Sequence, residues 1–306
     1  MWHNVWLVAV GVIIGAVGTL VGAGGGFLLV PYLILVERLR THVAVSISMA
    51  VVFWNALSGT AEYLRQKRTD IRSGLLFTAS ALPGALIGTA VSPLLSGELF
   101  RIIFSLLLLL VTYRLLGGKM YPDRNKAQVG SLQPSIRTIQ TADSIESGVI
   151  DTAAVYAFTR SIEDIGQKAE RKRVTRFVTD LFGHSYAYSF RPSVGIILSF
   201  FVGIYSGLFG VGGGILHVPI MVGILDFPIH IATATSHFVL VFTSFASSVE
   251  NVLMGSFYAW YVFYLSVGVA VGAQIGARIA NRVSERRLKV VLGFLLIITS
   301  AKMILG

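Results

Sequence analysis

The sequence predicts an all-α membrane protein with several spans, built from two repeats of inverted topology. Its 306 residues are 54% hydrophobic and 13% charged, with a mean hydropathy of +0.74. Soluble domains average roughly 45–50% apolar and 25% charged residues, so an ordinary soluble enzyme is excluded. Several apolar runs reach the ~20 residues that a helix needs to cross a bilayer. The repeats and their charged loops are the other two observations behind this prediction.

The repeat is visible when the sequence is compared with itself at an offset of 188 residues. Gly15–Ser48 then superposes without a gap on Gly203–Ser236, with twelve identities in 34 positions. The matched cores read GAGGGFLLVP and GVGGGILHVP. We therefore predict a first membrane repeat over 1–118, a second over 193–306, and an insert over 119–192 between them.

The insert differs in composition from both repeats. It carries eleven basic and eight acidic residues and no apolar run long enough to span a bilayer, so we expect it to lie in water. Some of its apolar residues recur at near-helical spacing and predict one or two amphipathic helices. They are Ile162, Ile165, Ala169, Phe177, Val178 and Leu181. No aromatic or motif context accompanies its basic run, and no nucleic-acid partner is expected.

Loop charges predict how the repeats are oriented. Each repeat has three candidate full spans, at 42–64, 73–95 and 100–118 and again at 230–253, 258–280 and 287–305. The loop 65–72 is basic but its counterpart 253–260 is not, whereas the turn 278–289 is basic and its counterpart 90–101 carries one arginine. Equivalent loops of opposite charge imply an odd number of crossings per repeat.

An odd number of crossings follows if each glycine-broken run is a hairpin of two short helices that returns to the side it entered. The basic loops and the insert then lie in the cytoplasm, both termini lie outside, and the protein is a multi-pass protein of the cell (inner) membrane. The N-terminal segment lacks a basic start and a convincing cleavage site, so we expect it to be retained.

The glycine runs are candidate substrate sites. Backbone can leave helical geometry at membrane depth only where protein or a water-filled cavity surrounds it. Each run should end one half-helix and begin another, whose free N–H groups and positive dipole end attract anions. The candidate residues are Gly24, Gly25, Gly26 and Phe27 in the first repeat and Gly212, Gly213, Gly214 and Ile215 in the second. Alternatively, the glycines only permit close helix packing.

Polar residues at a spacing of seven form a stripe on the first full span of each repeat. Ser48 and Asn55 lie on one stripe and Ser236 and Thr243 on the other, and His237 is adjacent. Such a stripe either lines a pathway, with these residues contacting substrate, or joins helices by hydrogen bonds. We favour the pathway, with His237 as the side-chain cation or donor.

Glu62 and Glu250 end these stripes. Inversion would place them at opposite mouths, where they are candidates for proton coupling; alternatively they are interfacial or helix-paired carboxylates. Neither a metal ligand cluster nor a cofactor motif is present. The candidate nucleophile Ser206 lacks the spacing of an intramembrane serine protease, so we expect no enzyme.

The paired glycine motif and the stretches AVSIS and ATATS that follow each hairpin resemble the TauE/SafE sulfite-exporter family of membrane permeases. The resemblance covers both repeats. It implies export of small sulfur-containing anions such as sulfite, sulfoacetate or other organosulfonates, coupled to the proton gradient, by alternating access around a midplane site. The alternatives are a passive anion channel or a permease for another small organic anion. Oligomeric state does not follow from the sequence.

Overall fold

The computed structural model describes residues 2–95, 97–116, 173–255, 258–280, 293–294, 297–301 and 303. Its helices are α1 (Trp2–Val21), α2 (Gly26–Leu35), α3 (Thr41–Arg65), α4 (Ile71–Val91), α5 (Gly97–Leu116), α6 (Pro192–Phe209), α7 (Gly214–Gly223), α8 (Ile229–Leu253) and α9 (Ala259–Ile279), with a short 3₁₀ turn at Ser92–Leu94. Two strands, β1 (Val174–Thr179) and β2 (Ser185–Phe190), precede α6. The protein is therefore mostly helical.

Six helices of the described part are long and apolar enough to cross a membrane, namely α1, α3, α4 with its 3₁₀ extension, α6, α8 and α9. This confirms a multi-pass membrane protein. Most of the predicted span 287–305 lies outside the described residues.

The glycine-broken runs differ from the prediction of two short helices. The first arms, α1 and α6, have 20 and 18 residues, whereas the second arms, α2 and α7, have 10 each. The reason is that the glycine clusters lie at the ends of the apolar runs that precede them. Each second arm contacts its first arm. The Trp6 indole of α1 donates to the Tyr32 hydroxyl of α2 at 3.0 Å, and the Ser199 hydroxyl of α6 lies 3.1 Å from the His217 ring of α7.

The two halves of the chain have matching elements. The bounds of α2 and α7, of α3 and α8, and of α4 and α9 each differ by 188 residues. The packing matches as well, because α1 lies parallel to α9 as α6 lies parallel to α4. Gly272 of α9 contacts the Val12 carbonyl, and Gly88 of α4 contacts the Ile204 carbonyl. Small residues allow this backbone approach.

Helices α3 and α8 pack against each other in opposite directions. The Tyr63 ring near the end of α3 lies 5.5 Å from the His237 ring in the first half of α8. Phe53, earlier in α3, lies 5.3 Å from Phe245, later in α8. Since α3 and α8 are equivalent elements, the two halves contribute antiparallel helices to the same interface.

The end of the predicted insert forms a β-hairpin, which corrects the helical prediction for Phe177, Val178 and Leu181. Val174 pairs with Phe190 and Thr179 with Ser185. Successive residues of β1 alternate between half-buried and exposed. The sequence VTRFVT alternates with a period of two and is rich in β-branched residues, which favours a strand. Ile162, Ile165 and Ala169 lie outside the described residues.

The hairpin docks on the loop between α3 and α4. Asp180 accepts from the Arg68 guanidinium at 2.9 Å, and both side chains are almost completely buried. Asp70, which caps α4 through the Ser73 amide, accepts from the Tyr188 hydroxyl at 2.7 Å. Polar contacts thus hold the hairpin against the first repeat.

Candidate functional site

Each glycine run forms a tight turn in the left-handed backbone region, and the two turns have the same geometry. The positive φ angles occur at residues 188 apart: Gly22 (81°), Gly24 (72°) and Gly25 (80°) in one, and Gly210 (68°), Gly212 (79°) and Gly213 (71°) in the other. Other residues rarely adopt this conformation. The turns are therefore a consequence of the glycines, and all the residues in them are buried.

The turns present free backbone N–H groups at the starts of α2 and α7. The amides of Gly25, Gly26 and Phe27 have no hydrogen-bond partner among the described residues, and the same holds for Gly213 and Ile215. Unpaired amides at a helix start carry partial positive charge. Each turn therefore has the electrostatic character of an anion site.

The two turns touch through their backbones. A Cβ added to Gly26 would lie 2.6 Å from the Gly210 carbonyl oxygen, and one added to Gly214 would meet the Gly22 carbonyl. The glycine runs of the two repeats thus lie against each other in the structure. Val52 and Leu240, also 188 residues apart, pack against both Gly24 and Gly212.

Two serines link each repeat to the turn of the other. The Ser48 hydroxyl donates to the Gly210 carbonyl at 2.6 Å, and the Ser236 hydroxyl donates to the Gly22 carbonyl at 3.1 Å. Both serines are completely buried. A hydroxyl has one proton to donate, so in this conformation the serines position the turns and do not offer donors to an anion.

Comparison with known proteins identifies the family that has this architecture. A family model described as "Sulfite exporter TauE/SafE" matches residues 7–303. The chain belongs to the TauE/SafE family. The TauE/SafE match spans both glycine turns and all six apolar helices, and it makes the chain a membrane transporter by family.

Curated relatives of this TauE/SafE chain carry compatible names. It is 32% identical over 256 residues to the "Probable membrane transporter protein YunE" of Bacillus subtilis (strain 168), covering 81% of this chain and 78% of that protein. A "Probable membrane transporter protein" of Xylella fastidiosa (strain Temecula1) is 26% identical over 133 residues, covering 43% of this chain and 51% of the relative. No solved structure matches the chain.

Asn55 and Thr243 are equivalent in position but differ in their contacts in this TauE/SafE protein. The Asn55 amide donates to the Gly24 carbonyl at 2.7 Å and accepts from the Thr19 hydroxyl at 2.7 Å. The Thr243 hydroxyl donates to its own helix, at the Val239 and Leu240 carbonyls. Only the first repeat has a side chain bonded to its turn at this position.

His237 lies in a small buried space beside that polar network. Its ring contacts Tyr63 edge to face and lies against Gly59, where a Cβ would be 2.9 Å from the ring. The Thr233 carbonyl interacts with the ring, but neither ring nitrogen has a well-formed hydrogen bond to a described residue. The Tyr63 hydroxyl donates instead to the Thr19 carbonyl at 2.8 Å.

The two glutamates have different surroundings. Glu62 accepts from Gln66 at 3.2 Å and lies 3.8 Å from the Arg278 and 4.0 Å from the Arg65 guanidinium. Glu250 is half-buried, and its Oε2 has no partner among the described residues. Glu62 therefore has the contacts of a paired carboxylate, whereas Glu250 does not.

Sequence reasoning missed four residues that shape the site: Thr19, Tyr63, Val52 and Leu240. Val52 and Leu240 could have been found from the 188-residue offset, which pairs them. The offset could not have identified Thr19 and Tyr63, because it pairs Thr19 with Gly207 and Tyr63 with Asn251, which carry neither a threonine hydroxyl nor a phenol. Within the described part of the chain, no three His, Cys, Asp or Glu residues form a group that could hold a metal ion.

Proposed function

We propose that this protein is a secondary transporter that exports small sulfur-containing anions, such as sulfite, sulfoacetate or related organosulfonates. Export would be coupled to the proton gradient. The family description supports the substrate class. The observation that carries the proposal is the meeting of two left-handed glycine turns, each followed by a helix start with free N–H groups. Such ends bind oxyanions without a side-chain cation.

The anion would be held by the backbone amides of Gly25, Gly26 and Phe27 from one turn and by those of Gly213 and Ile215 from the other. Ser48, Ser236 and Asn55 would hold the turns in place by donating to the carbonyls of the turns. Thr243 would lie on α8 at the position equivalent to Asn55. This assignment gives the backbone the binding role and the side chains a positioning role.

Alternating access would follow from two inverted repeats that rock about the fixed turns. The antiparallel packing of α3 on α8 and the reciprocal serine contacts support an inverted arrangement. The contact between Arg278 and Glu62 brings the end of α9 beside the end of α3. The basic loops 65–72 and 278–289 begin at these ends, so both would lie on one side of the membrane, the cytoplasmic side. The insert would then be cytoplasmic and both termini external.

Of the two candidate carboxylates, Glu250 is better suited to exchange protons at a mouth. Its Oε2 has no partner among the described residues, whereas Glu62 has Gln66 and two arginines within reach. We therefore assign Glu250 the role of a proton-exchanging group and Glu62 that of an ion-paired helix end.

Binding to the purified protein, measured with sulfite, sulfoacetate, taurine and sulfate in parallel, tests the substrate class. We expect saturable binding of at least one sulfur oxyanion, and no binding of any of them would overturn the proposal. Counterflow in proteoliposomes at zero membrane potential separates a carrier from a passive channel, since only in a carrier does the exit of unlabelled anion drive labelled anion above its equilibrium level. The burial of both turns favours the carrier.

A further inference from the structure

A buried histidine next to the site stands outside the pseudo-symmetry of the two repeats. The residue equivalent to His237 is Met49, which is also completely buried. A methionine fills such a position with apolar contacts alone. His237 instead brings two polar nitrogens into the interior, where buried polar groups are normally hydrogen-bonded. Apart from the interaction with the Thr233 carbonyl of its own helix, its nitrogens have no hydrogen-bond partner among the described residues, and this calls for an explanation beyond packing.

The space around the ring is built from three elements. Gly59 of α3 leaves room for the imidazole, Tyr63 of α3 meets it edge to face, and Thr19 of α1 approaches the same point of Gly59. From there a line of contacting residues reaches the first glycine turn. The Tyr63 hydroxyl donates to the Thr19 backbone carbonyl, the Thr19 side-chain hydroxyl donates to Asn55, and the Asn55 amide donates to the Gly24 carbonyl. The ring thus adjoins one end of a line whose other end is the substrate turn.

We propose that His237 accepts and releases the proton whose movement drives transport. The inference rests on the proposed function, because it assigns the coupling step of that same transporter. A ring nitrogen takes up the proton to form an imidazolium, and the same N–H bond breaks when the proton leaves toward the other side of the membrane. Glu250 then exchanges protons at a mouth, and His237 is the interior group.

The surroundings explain why protonation would change the conformation. Among the described residues facing the ring, the titratable one is Tyr63 of α3, while α1 contributes Thr19 and Gly18 near the turn. Glu62, one residue earlier in α3, contacts Gln66 and Arg278 instead, and Arg68 is paired with Asp180. The Asp70 carboxylate accepts from Ser73 and Tyr188.

An imidazolium at this position would have no carboxylate contact from the described residues. An uncompensated buried charge is costly, so proton binding would favour a different conformation in which the ring is hydrated or paired. A proton can shift such an equilibrium only through this difference in affinity between the two conformations. The line through Thr19 and Asn55 would carry the change to the Gly24 turn.

Transport by the purified full chain in proteoliposomes, with radiolabelled sulfite as the probe, tests the assignment. The variant His237→Met introduces the residue found at the equivalent position of the first repeat. We expect it to retain sulfite counterflow within about twofold of the wild-type rate and to lose the stimulation of flux by a pH gradient. His237→Gln, which keeps a polar side chain without a titrating group, should behave in the same way and replaces the first variant if that one does not fold.

The matched control is His217→Leu. His217 is a buried histidine of α7 whose Nε2 lies 3.1 Å from the Ser199 hydroxyl, and Leu29 is its equivalent. This variant should keep its response to the pH gradient. Unchanged gradient stimulation in His237→Met would overturn the assignment, and so would an equal loss in His217→Leu. Loss of counterflow in a folded His237→Met protein would also overturn it, because His237 would then be required for substrate movement itself.

A second measurement needs no substrate. Nitrogen NMR of histidine-labelled wild-type protein, with the His237 signal assigned from the variant spectrum, should show that ring taking up a proton within the pH range in which the protein stays folded. A His237 signal that never titrates contradicts the proposal. Absence of counterflow for sulfite, sulfoacetate and taurine in the wild type would instead contradict the proposed function, so the two failures are distinguishable.

Discussion

The two repeats are almost identical at the glycine turns and differ in the polar residues that surround the turns. At the turns, the φ angles, the serine contacts and the backbone approach all occur twice. Away from them, Asn55 bonds the turn but Thr243 does not, and His237 stands opposite Met49. The duplicated part suits a site that both conformations must share, and the unmatched residues include His237, to which we assign proton coupling.

The loops between the helices differ in the same way. The β-hairpin binds the loop between α3 and α4, because Asp180 pairs with Arg68 and the Tyr188 hydroxyl donates to Asp70. At the equivalent place after α8, Leu253 is 82% exposed and Met254 44% exposed. The loop after α3 is thus held by the β-hairpin, whereas the described residues at the end of α8 are exposed.

The largest effect should come from a side chain placed between the two turns. In Gly214→Ala the added methyl group would collide with the Gly22 carbonyl, and in Gly26→Ala it would lie 2.6 Å from the Gly210 carbonyl. Because both obstacles are backbone, neither can rotate away. We expect each variant to lose transport and most of its folded yield, since overpacking against mobile groups already costs about 1–3 kcal/mol.

Size-exclusion chromatography in detergent, followed by transport assays, measures this. The control is Gly97→Ala, where the added group would meet the Thr41 hydroxyl at 3.3 Å and should be tolerated. If the duplicated contact is essential, the two turn variants should fail to the same extent. A marked difference between them would break the symmetry on which the comparison depends.

A smaller effect should follow from Asn55→Thr, which gives the first repeat the residue of the second. The change removes the hydrogen bond to the buried Gly24 carbonyl and the partner of the Thr19 hydroxyl. A buried group left without a partner costs about 1–3 kcal/mol. Thermal unfolding in detergent should register this loss, with a fall in sulfite transport.

Thr243→Val is the matched control for Asn55→Thr, because the Thr243 hydroxyl bonds carbonyls of its own helix that already have helical partners. We expect a change in unfolding free energy within about 0.5 kcal/mol. A larger loss in Thr243→Val than in Asn55→Thr would show that the second turn has side-chain support that this conformation lacks.

The symmetric features are the ones that the sequence predicted well. The glycine runs, the paired serines and the bounds of α3 and α8 follow from local backbone preferences and from a repeat that is visible at one offset. The partners of Ser48 and Ser236 did not follow, because each is a carbonyl of the other repeat and depends on how the two repeats pack. A sequence also does not show which acceptor a hydroxyl donates to. Ser48 and Ser236 were predicted to contact an anion, but in the structure their hydroxyls donate to backbone carbonyls.

The β-hairpin was missed for a different reason. Phe177, Val178 and Leu181 fit a helical spacing when combined with residues before 174, whereas the alternation within VTRFVT fits a strand. A short amphipathic segment next to a charged run satisfies both patterns. The pairing partner that decides between them, SYAYSF, follows a turn at Gly183.

A still smaller effect should come from weakening the hairpin with acid. Burial alone would raise the pKa of Asp180, but hydrogen bonds from Arg68 and from the amides of His184 and Phe182 outweigh it and hold the pKa below its ordinary value of 3.8. A carboxyl with a lowered folded pKa stabilises the fold above its ordinary pKa, and that contribution is lost as the pH falls toward the folded value. The hairpin should therefore stay docked at neutral pH and loosen only below its ordinary value.

Hydrogen exchange of the amides in 174–190, corrected for intrinsic rates, measures this loosening. The exposed residues 252–255 are the internal reference and should show no change in the same window. Asp180→Asn should remove the acid step and weaken docking at neutral pH by about 1–3 kcal/mol, because the amide oxygen can still accept from the buried Arg68 guanidinium but carries no charge. An acid step that persists in this variant would assign the titration to another group.

The smallest effects on stability should come from the two glutamates, and their effects on flux should differ between the repeats. Glu62→Gln removes ion pairs at 3.8 and 4.0 Å to arginines that are largely exposed; such pairs contribute about 0–1 kcal/mol. We expect little change in stability or in gradient-driven flux. Glu250→Gln removes a carboxylate whose Oε2 has no partner among the described residues, and an amide cannot carry a proton. Its gradient-driven sulfite flux should fall severalfold while counterflow is preserved, and a greater loss in Glu62→Gln would reverse the roles assigned to the two ends.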